Sequence, residues 1–412
     1  MRILYLHQYF IEPRGVGGTR SYEMARRLAA TGHEITLLTS SAFLDESRAP
    51  GPGWHVHEIE GVRVEVYRLP YSNRDAFPRR IRKFLAFMWA CTRRARGHRA
   101  DVVFATSAPL TIAVPGLLAK GKLRAPLVFE VRDLWPELPI AVGALRNPLL
   151  IAAARWLERR AYHGSARVVA LSPGMADGVA ATGYPRERIS VIPNSCDLEF
   201  FRATDEAAAR FRARFPWLGD RPLVIYAGAL GLINGVGYLA ELAAAVRPLA
   251  PEVRFLVLGD GMEREKIEAR ARDLGVWEDT FFMVPPVPKR EMPAVLRAAD
   301  LATSLFLPIE AMWHNSANKF FDALAAGRPP AINYGGWQAD LLRETGAGIV
   351  LDPHDRDAAA YALVSVLDDR DALQTMGEAA RRLARERFDR DTLAARLESV
   401  LRAAATGTGG AI

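Results

Sequence analysis

Residues 311–330, AMWHNSANKFFDALAAGRPP, put a cation, an amide and a carboxylate together at the start of a helix. Ser316 reads as an N-cap, the helix runs from Ala317 to about Ala326, and Gly327 with Pro329 and Pro330 stops it. On a helical wheel Phe320, Phe321 and Leu324 share one face, while Asn318, Lys319 and Asp322 share another. Lys319 thus stands in the first turn, where the helix dipole already presents positive partial charge and favours an anion. A solvated face would explain a lone lysine. A diphosphate at the helix start would explain the set: it rewards the dipole and Lys319, with Ser316 and Asn318 beside it. Asp322, one turn deeper, would then accept hydrogen bonds from ribose hydroxyls.

Three glycine-bearing loops follow short apolar strands. EPRGVGGTRSYEM (12–24) opens the first helix, so its backbone N–H groups, those of Gly17 and Gly18 included, can face an anion or a sugar. It is not the dinucleotide fingerprint. Arg20 takes the third glycine position, and the second strand ends LLTSS, without an acid to hold a ribose. YAGALGLINGVGYL (226–239) and LGDGMEREKIE (258–268) bring Gly228, Asn234, Gly259, Asp260 and Gly261 to the equivalent edges of the second half. Neither is a P-loop, since the Gly-Lys-Ser/Thr ending is missing. A tight turn is the plain alternative for each. Arg132 and Asp133, in EVRDLWPE, end another strand, where an internal salt bridge and contacts to a sugar or acceptor are equal readings. His7 ends the first strand, either as a structural histidine or as a cleft residue. The Asp-Arg-Asp triplets at 355–357, 369–371 and 389–391 open helices and read as caps, so no metal is expected.

The elements that must position these residues alternate from end to end. RILYL, EITLLTS, DVVFAT, PLVFEV and ARVVALS are short β-rich runs separated by helical stretches. RISVIPNSCDLEFFRA (188–203) breaks the rhythm, which restarts with PLVIYAG, VRFLVLGDG, TFFMVP, DLATSLF, PPAINY and AGIVLD. The pattern predicts two doubly wound α/β domains with parallel sheets, joined near 193–203. Ligands of such sheets bind at the carboxyl ends of the strands, so two facing domains predict a cleft between them. The stretch ALQTMGEAARRLARERF onward is amphipathic, and ATGTGGAI is expected to fray.

Bulk properties narrow the classes. A formal charge of +7 and a pI near 9.5 suit nucleic acid, anionic lipid or phosphorylated metabolites as partners. Two cysteines, Cys91 and Cys196, offer no disulfide framework or metal-ligand spacing, and the start MRILYLHQYF does not read as a signal peptide. Without a spanning apolar run, a cytoplasmic protein, peripheral on the inner face of the membrane, is expected. Residues 79–99, RRIRKFLAFMWACTRRARGHR, carry eight Lys or Arg and no acid, with Phe84, Leu85, Phe87, Met88 and Trp89 among them. A solvated basic helix, a helix lying on anionic lipid and a nucleic-acid surface are the readings. Lipid is preferred, since bulky apolar residues flanked by cations suit an interface and no nucleic-acid motif accompanies them.

The order GGTRSYEMARRLAATGHEITLLTS, VRDLWPE, VIPNSCD, YAGALGLINGV, VLGDG and NKFFDALAAGRPP resembles the family-4 glycosyltransferases of GT-B fold. ILYLHQYF with DLWPE and the Asn-Lys pair is most similar to the L-fucosamine-transferase-like (WbuB-like) branch. The resemblance implies two Rossmann-like domains facing across a cleft: 1–195 for the acceptor and 196–385 for the nucleotide-sugar. It also implies a C-terminal helix, 386–412, returning to the first domain. It implies a retaining transfer of a hexosyl or N-acetylhexosaminyl group from a UDP-sugar, without metal or other cofactor, to a sugar or lipid-linked acceptor in polysaccharide synthesis. Three positions depart from the family's pattern. His314 and Asp322 stand where two glutamates are usual, Ala229 and Asn234 where an Arg and a Lys flank the glycine loop, and Arg132-Asp133 where His-Asp is usual. With those cations missing, neutralising the diphosphate falls on Lys319, and Lys319, Arg132 and Asp133 are the catalytic candidates. A nucleotide-sugar epimerase or hydrolase of the same fold, a two-lobed sugar receptor and a basic nucleic-acid binder are the competing classes.

Overall fold

The computed structural model describes residues 1–13, 15, 17–70 and 77–407, so Arg14 and Val16 of the first glycine loop and 408–412 of the tail lie outside the described residues. The chain divides into two compact units, Met1–Pro193 with the chain from Asp391 onward, and Asn194–Arg390.

The first unit holds strands β1 (Arg2–Leu6), β2 (Glu34–Ser40), β3 (Trp54–Ile59), β4 (Val62–Tyr67), β5 (Val102–Thr106), β6 (Leu127–Val131), β7 (Arg167–Ala170) and β8 (Ile189–Val191). Their order in the sheet is β3-β4-β2-β1-β5-β6-β7-β8. Every residue of β5, β6 and β7 is buried, as in strands covered on both faces, which is why they read as short runs that are mostly apolar, Glu130 and Arg167 excepted. β1 runs parallel to both β2 and β5, with Ile3 opposite Ile35 and Val102. The strand order reverses between β1 and β5, so the binding crevice of such a sheet falls at their carboxyl ends. One edge departs from the all-parallel expectation: β3 is antiparallel to β4, with Trp54 opposite Tyr67. The cause is local. Glu60 and Gly61 turn the chain with φ of 50° and 74°, the doubly positive turn that suits a hairpin.

From Asp391 onward the helix Arg390–Thr406 belongs to this unit. Leu393, Leu397, Val400 and Leu401 join Ile3, Tyr5 and Leu37 in one core layer. Arg27 Nε donates to Asp391 Oδ1 at 2.5 Å, which ties the last helix to the helix Arg20–Ala30.

The second unit holds β9 (Leu223–Ala227), β10 (Arg254–Leu258), β11 (Phe281–Val284), β12 (Leu301–Ser304), β13 (Pro330–Ile332) and β14 (Ile349–Val350), in the order β11-β10-β9-β12-β13-β14. Every pairing is parallel, and the order reverses between β9 and β12. The helix Asn318–Ala326 lies between β12 and β13. Its apolar face is the one the wheel predicted: Phe320, Phe321 and Leu324 are fully buried, and the Phe321 ring centroid lies 4.9 Å from that of Phe388.

The start of that helix corrects the sequence reading. Ala317, not Ser316, is the N-cap, and no side chain caps it. Ser316 is otherwise engaged: its hydroxyl accepts from the Asn194 backbone N–H at 2.9 Å, and its carbonyl accepts from Asn194 Nδ2 at 2.6 Å. Asp355 and Asp369 do cap helices, each accepting a backbone N–H three residues on at 2.9 Å. The third triplet likewise stands at a helix start, that of Arg390–Thr406, and Asp389 also bridges to Cys196 through the backbone.

Candidate active site

Lys319 occupies the second position of its helix, where the backbone N–H groups of the first turn lack partners within the helix. Its side chain reaches back to the carboxyl end of β9. A Cβ added to Gly228 would lie 2.3 Å from Lys319 Cε and 3.0 Å from Nζ, so the absence of a side chain at 228 makes room for the lysine. The Nζ stands 5.1 Å from the ring centroid of Tyr226, a cation–π distance. Among the described residues no carboxylate lies within ion-pairing distance of it. Burial pushes its pKa down to about 8, and Asp322 opposes this only in part.

The two glycine loops beside it form one tightly packed edge. Gly228 N donates to Leu258 O at 2.9 Å and Leu230 N to Asp260 O at 2.9 Å. A Cβ on Gly259 would come within 2.1 Å of Gly228 O, and one on Gly261 within 2.5 Å of Leu230 O. Close backbone approach, anticipated as an approach to ligand, is thus in part an approach of loop to loop. Asp260 turns its carboxylate onto its own loop, accepting from Gly261 N at 2.8 Å. Asn234 is buried within the loop that follows β9, and Ala229, in the same loop, is exposed. Asn318 and Asp322 are half-buried on the helix. Burial raises Asp322 to about 6, against Lys289, Arg390 and Lys319, which hold it down. The structure therefore brings Lys319, Gly228 and Gly259 together at the reversal between β9 and β12, with Asn318 and Asp322 on the same helix. Ser316 stands apart as a link to Asn194.

In the first unit Gly17 and Gly18 lie in the loop from β1, and Arg132 and Asp133 follow β6. The internal Arg132–Asp133 salt bridge is not formed. Arg132 Nη1 instead lies 3.2 Å from His7 Nε2, and its backbone N–H donates to Ser107 Oγ at 3.0 Å. A guanidinium only donates, so His7 Nε2 accepts and the proton sits on Nδ1. Burial, then the Arg132 charge, holds His7 well below the usual imidazole range. Burial raises Asp133 to about 6, with Arg132 opposing. His7, Ser107 and the Arg132–Asp133 pair stand at the carboxyl ends of β1, β5 and β6, the edge predicted to bind ligand.

Sequence reasoning missed several contributors. Arg20, noted only as a missing glycine, forms a buried ion pair with Glu130 at 2.9 Å and donates to Ile192 O and Pro193 O. Thr106 Oγ1 donates to the other Glu130 oxygen at 2.6 Å. Burial opposes ionisation of Glu130, yet Arg20 holds its pKa below the ordinary value. This network fixes the helix that opens at the β1 loop. A fully buried acid in the apolar run PLVFEV was its available signal. Tyr226, under Lys319, carried no signal beyond a strand aromatic. Asn194, whose Oδ1 is buried with no hydrogen-bond partner, carried only the Pro-Asn-Ser break.

Residues 15–195 match the glycosyl transferase 4-like domain, and residues 208–383 match the glycosyl transferases group 1. The D-inositol 3-phosphate glycosyltransferase of Thermobispora bispora is 28% identical over 403 residues, covering 93% of this chain and 89% of that one. A GDP-mannose-dependent alpha-(1-6)-phosphatidylinositol monomannoside mannosyltransferase of Mycobacterium tuberculosis is 26% identical over 402 residues, with 94% of each covered. In fold, sucrose-phosphate synthase from Thermosynechococcus elongatus matches with a TM-score of 0.78 at 16% identity, over 99% of this chain and 100% of that one. The lipopolysaccharide glycosyltransferase WaaG matches with a TM-score of 0.70 at 18% identity, over 99% and 100%. These relatives support the wider family rather than the L-fucosamine-transferase-like branch, and lend nothing to an epimerase or hydrolase. Two domain matches in the order the sequence motifs implied, on two units each built as a doubly wound sheet, place the chain in the family-4 glycosyltransferases of GT-B fold.

Proposed function

We propose that the protein is a retaining transferase that moves a hexosyl or N-acetylhexosaminyl group from a UDP-sugar to a hydroxyl of a sugar or lipid-linked acceptor. The observation that carries this reading is Lys319: a half-buried cation, without an ion-paired acid among the described residues, at a helix start, beside a glycine edge on the reversal of a parallel sheet. When the bond from the anomeric carbon to the diphosphate oxygen breaks, negative charge grows on the leaving group. Lys319 and the first-turn N–H groups are placed to neutralise it without reorganising. Asp322 takes the ribose hydroxyls, and Asn318 the phosphate flank. Gly17, Gly18, Arg132 and Asp133 serve the acceptor in the first unit, where Arg132 replaces the histidine usual in the family. The charge is handled by protein groups, so no metal is needed. The basic segment 79–99 holds the enzyme on anionic lipid at the inner membrane face, near a lipid-linked acceptor. Among the described residues no helix is long and apolar enough to cross a membrane.

Calorimetric titration with UDP, UDP-sugars and GDP-mannose, each with and without chelator, tests the donor reading. Binding of a UDP-sugar that survives chelation is expected. Selective binding of GDP-mannose would transfer the proposal to a guanine donor, and binding restored only by magnesium or manganese would overturn metal independence.

A further inference from the structure

The membrane reading above rests on one helix; the structure sets that helix in a layer. The helix Phe77–Ala95 packs against Ala113–Leu123, which packs in turn against Pro148–His163, on one face of the first unit's sheet. Along the first, Arg82, Leu85, Trp89 and Arg93 fall on one exposed stripe at spacings of three and four. Along the third, Leu149, Trp156 and Arg160 are exposed at spacings of seven and four, with Arg159 exposed beside them. Leu118 and Lys122 are exposed on the helix between them. Large apolar groups stand unusually far out: Trp89 and Trp156 are each 62% exposed and Leu149 is 79% exposed. The three helices carry eleven Lys or Arg against one carboxylate, Glu158, and that one is buried.

We infer that the whole three-helix layer, and not 79–99 alone, is a docking face for an anionic lipid bilayer. Two exposed indoles and flanking leucines suit the boundary between headgroups and acyl chains, where an aromatic with a polar edge is most at home. The cations around them suit phosphate headgroups, and no exposed acid on these helices repels the surface. A second copy of the chain would bring two like-charged faces together. A nucleic acid would match the charge and leave the apolar groups unburied. The inference rests on the membrane reading above and enlarges it by two helices, so its tests separate the helices.

The full chain is sedimented with vesicles of phosphatidylglycerol and phosphatidylcholine, and with phosphatidylcholine alone. Binding is expected on the first, with a blue-shifted tryptophan emission, and much less on the second. Arg82→Gln with Arg93→Gln should lower the partition on the order of tenfold or more, at about fivefold per cation removed near an anionic surface. Arg155→Gln with Arg159→Gln should lower it comparably, and Trp156→Ala should reduce the emission shift. All of these side chains are exposed, and melting temperature checks each fold. If only the changes at 82 and 93 weaken binding, the layer is refuted and the single-helix reading stands. If no variant weakens binding, or neutral vesicles bind as well, both are refuted. A mass doubling abolished by Trp89→Ala with Trp156→Ala would make the face a copy interface instead, and duplex DNA binding lost in the same variants would make it a nucleic-acid surface. Sugar transfer to a water-soluble acceptor should stay at the parent level throughout, which separates loss of docking from failure of the catalytic proposal.

Discussion

Replacing Lys319 by Met removes a charge while nearly keeping the side chain's length, and the structure predicts opposite effects on stability and on turnover. The fall from 10.5 to about 8 corresponds to a ceiling of about 3 kcal/mol spent on keeping the folded lysine charged. The side chain is only half-buried, so solvent screening cuts that to about 1.5 kcal/mol. Losing the Tyr226 ring contact returns about 0.5 kcal/mol, leaving a net gain of about 1 kcal/mol. In a unit of this size that raises the melting temperature by about 2–4 °C. The sign fixes the pH window. The folded pKa lies below the unfolded one, so the cost is fully present below about pH 8 and fades as pH rises towards 10.5. Melting curves of parent and variant should therefore differ at pH 7 and converge near pH 10. Turnover should fall on the order of 10² to 10³ in the variant, the scale of one lost preorganised donor. In the parent, donor affinity should drop between pH 7 and pH 9, where about one lysine in ten remains charged at a pKa of about 8. A variant that melts with or below the parent at pH 7 would refute the unpaired-cation argument, and near-normal turnover would refute the leaving-group role.

Asp322→Asn should weaken UDP-sugar binding on the order of tenfold with a smaller change in kcat, since a ribose contact is made in ground and transition states alike; a kcat loss at unchanged KM would contradict that role. Gly228→Ala puts a methyl 2.3 Å from Lys319 Cε at a φ of 153°, so it should displace the lysine and reproduce the turnover loss of Lys319→Met, while costing about 1–2 kcal/mol in a melting experiment. Glu130→Gln leaves Arg20 charged and unpaired in the core, and denaturant unfolding should show a loss of about 3–5 kcal/mol. Because the Glu130 pKa is lowered on folding, the parent's advantage should be complete above the ordinary carboxylate range and vanish as pH falls through the folded value.

The strands were legible because parallel strands buried on both faces leave short apolar runs, and the helix Asn318–Ala326 because its periodicity separates Phe320 and Phe321 from Lys319. What stayed hidden depends on partners far along the chain. Ser316 looked like a cap because local spacing cannot show that Asn194, 122 residues earlier, takes its hydroxyl. Arg132 beside Asp133 suggested a salt bridge, yet neighbours in sequence at a strand end point different ways, and Arg132 meets His7 across β1, β5 and β6 instead. The Glu60-Gly61 hairpin lacked the usual Asn or Asp, so its turn chemistry was muted. Lys319 was legible as odd but not as half-buried: a wheel gives a residue's direction, not the depth of what packs over it.

The helix Arg390–Thr406 gives the chain an order of manufacture. Residues 194–390 form a complete unit as soon as they leave the ribosome, because every strand of their sheet lies within that stretch. The N-terminal unit, although made first, must wait with one layer of its core incomplete until Leu393, Leu397, Val400 and Leu401 emerge after the second unit. The usual sequence of N-terminal domain before C-terminal domain is therefore inverted in its completion. A chain cut short near residue 390 keeps its second unit whole and takes Leu393, Leu397, Val400 and Leu401 out of the core that holds Ile3, Tyr5 and Leu37, so the loss is felt in the unit built from the first residues.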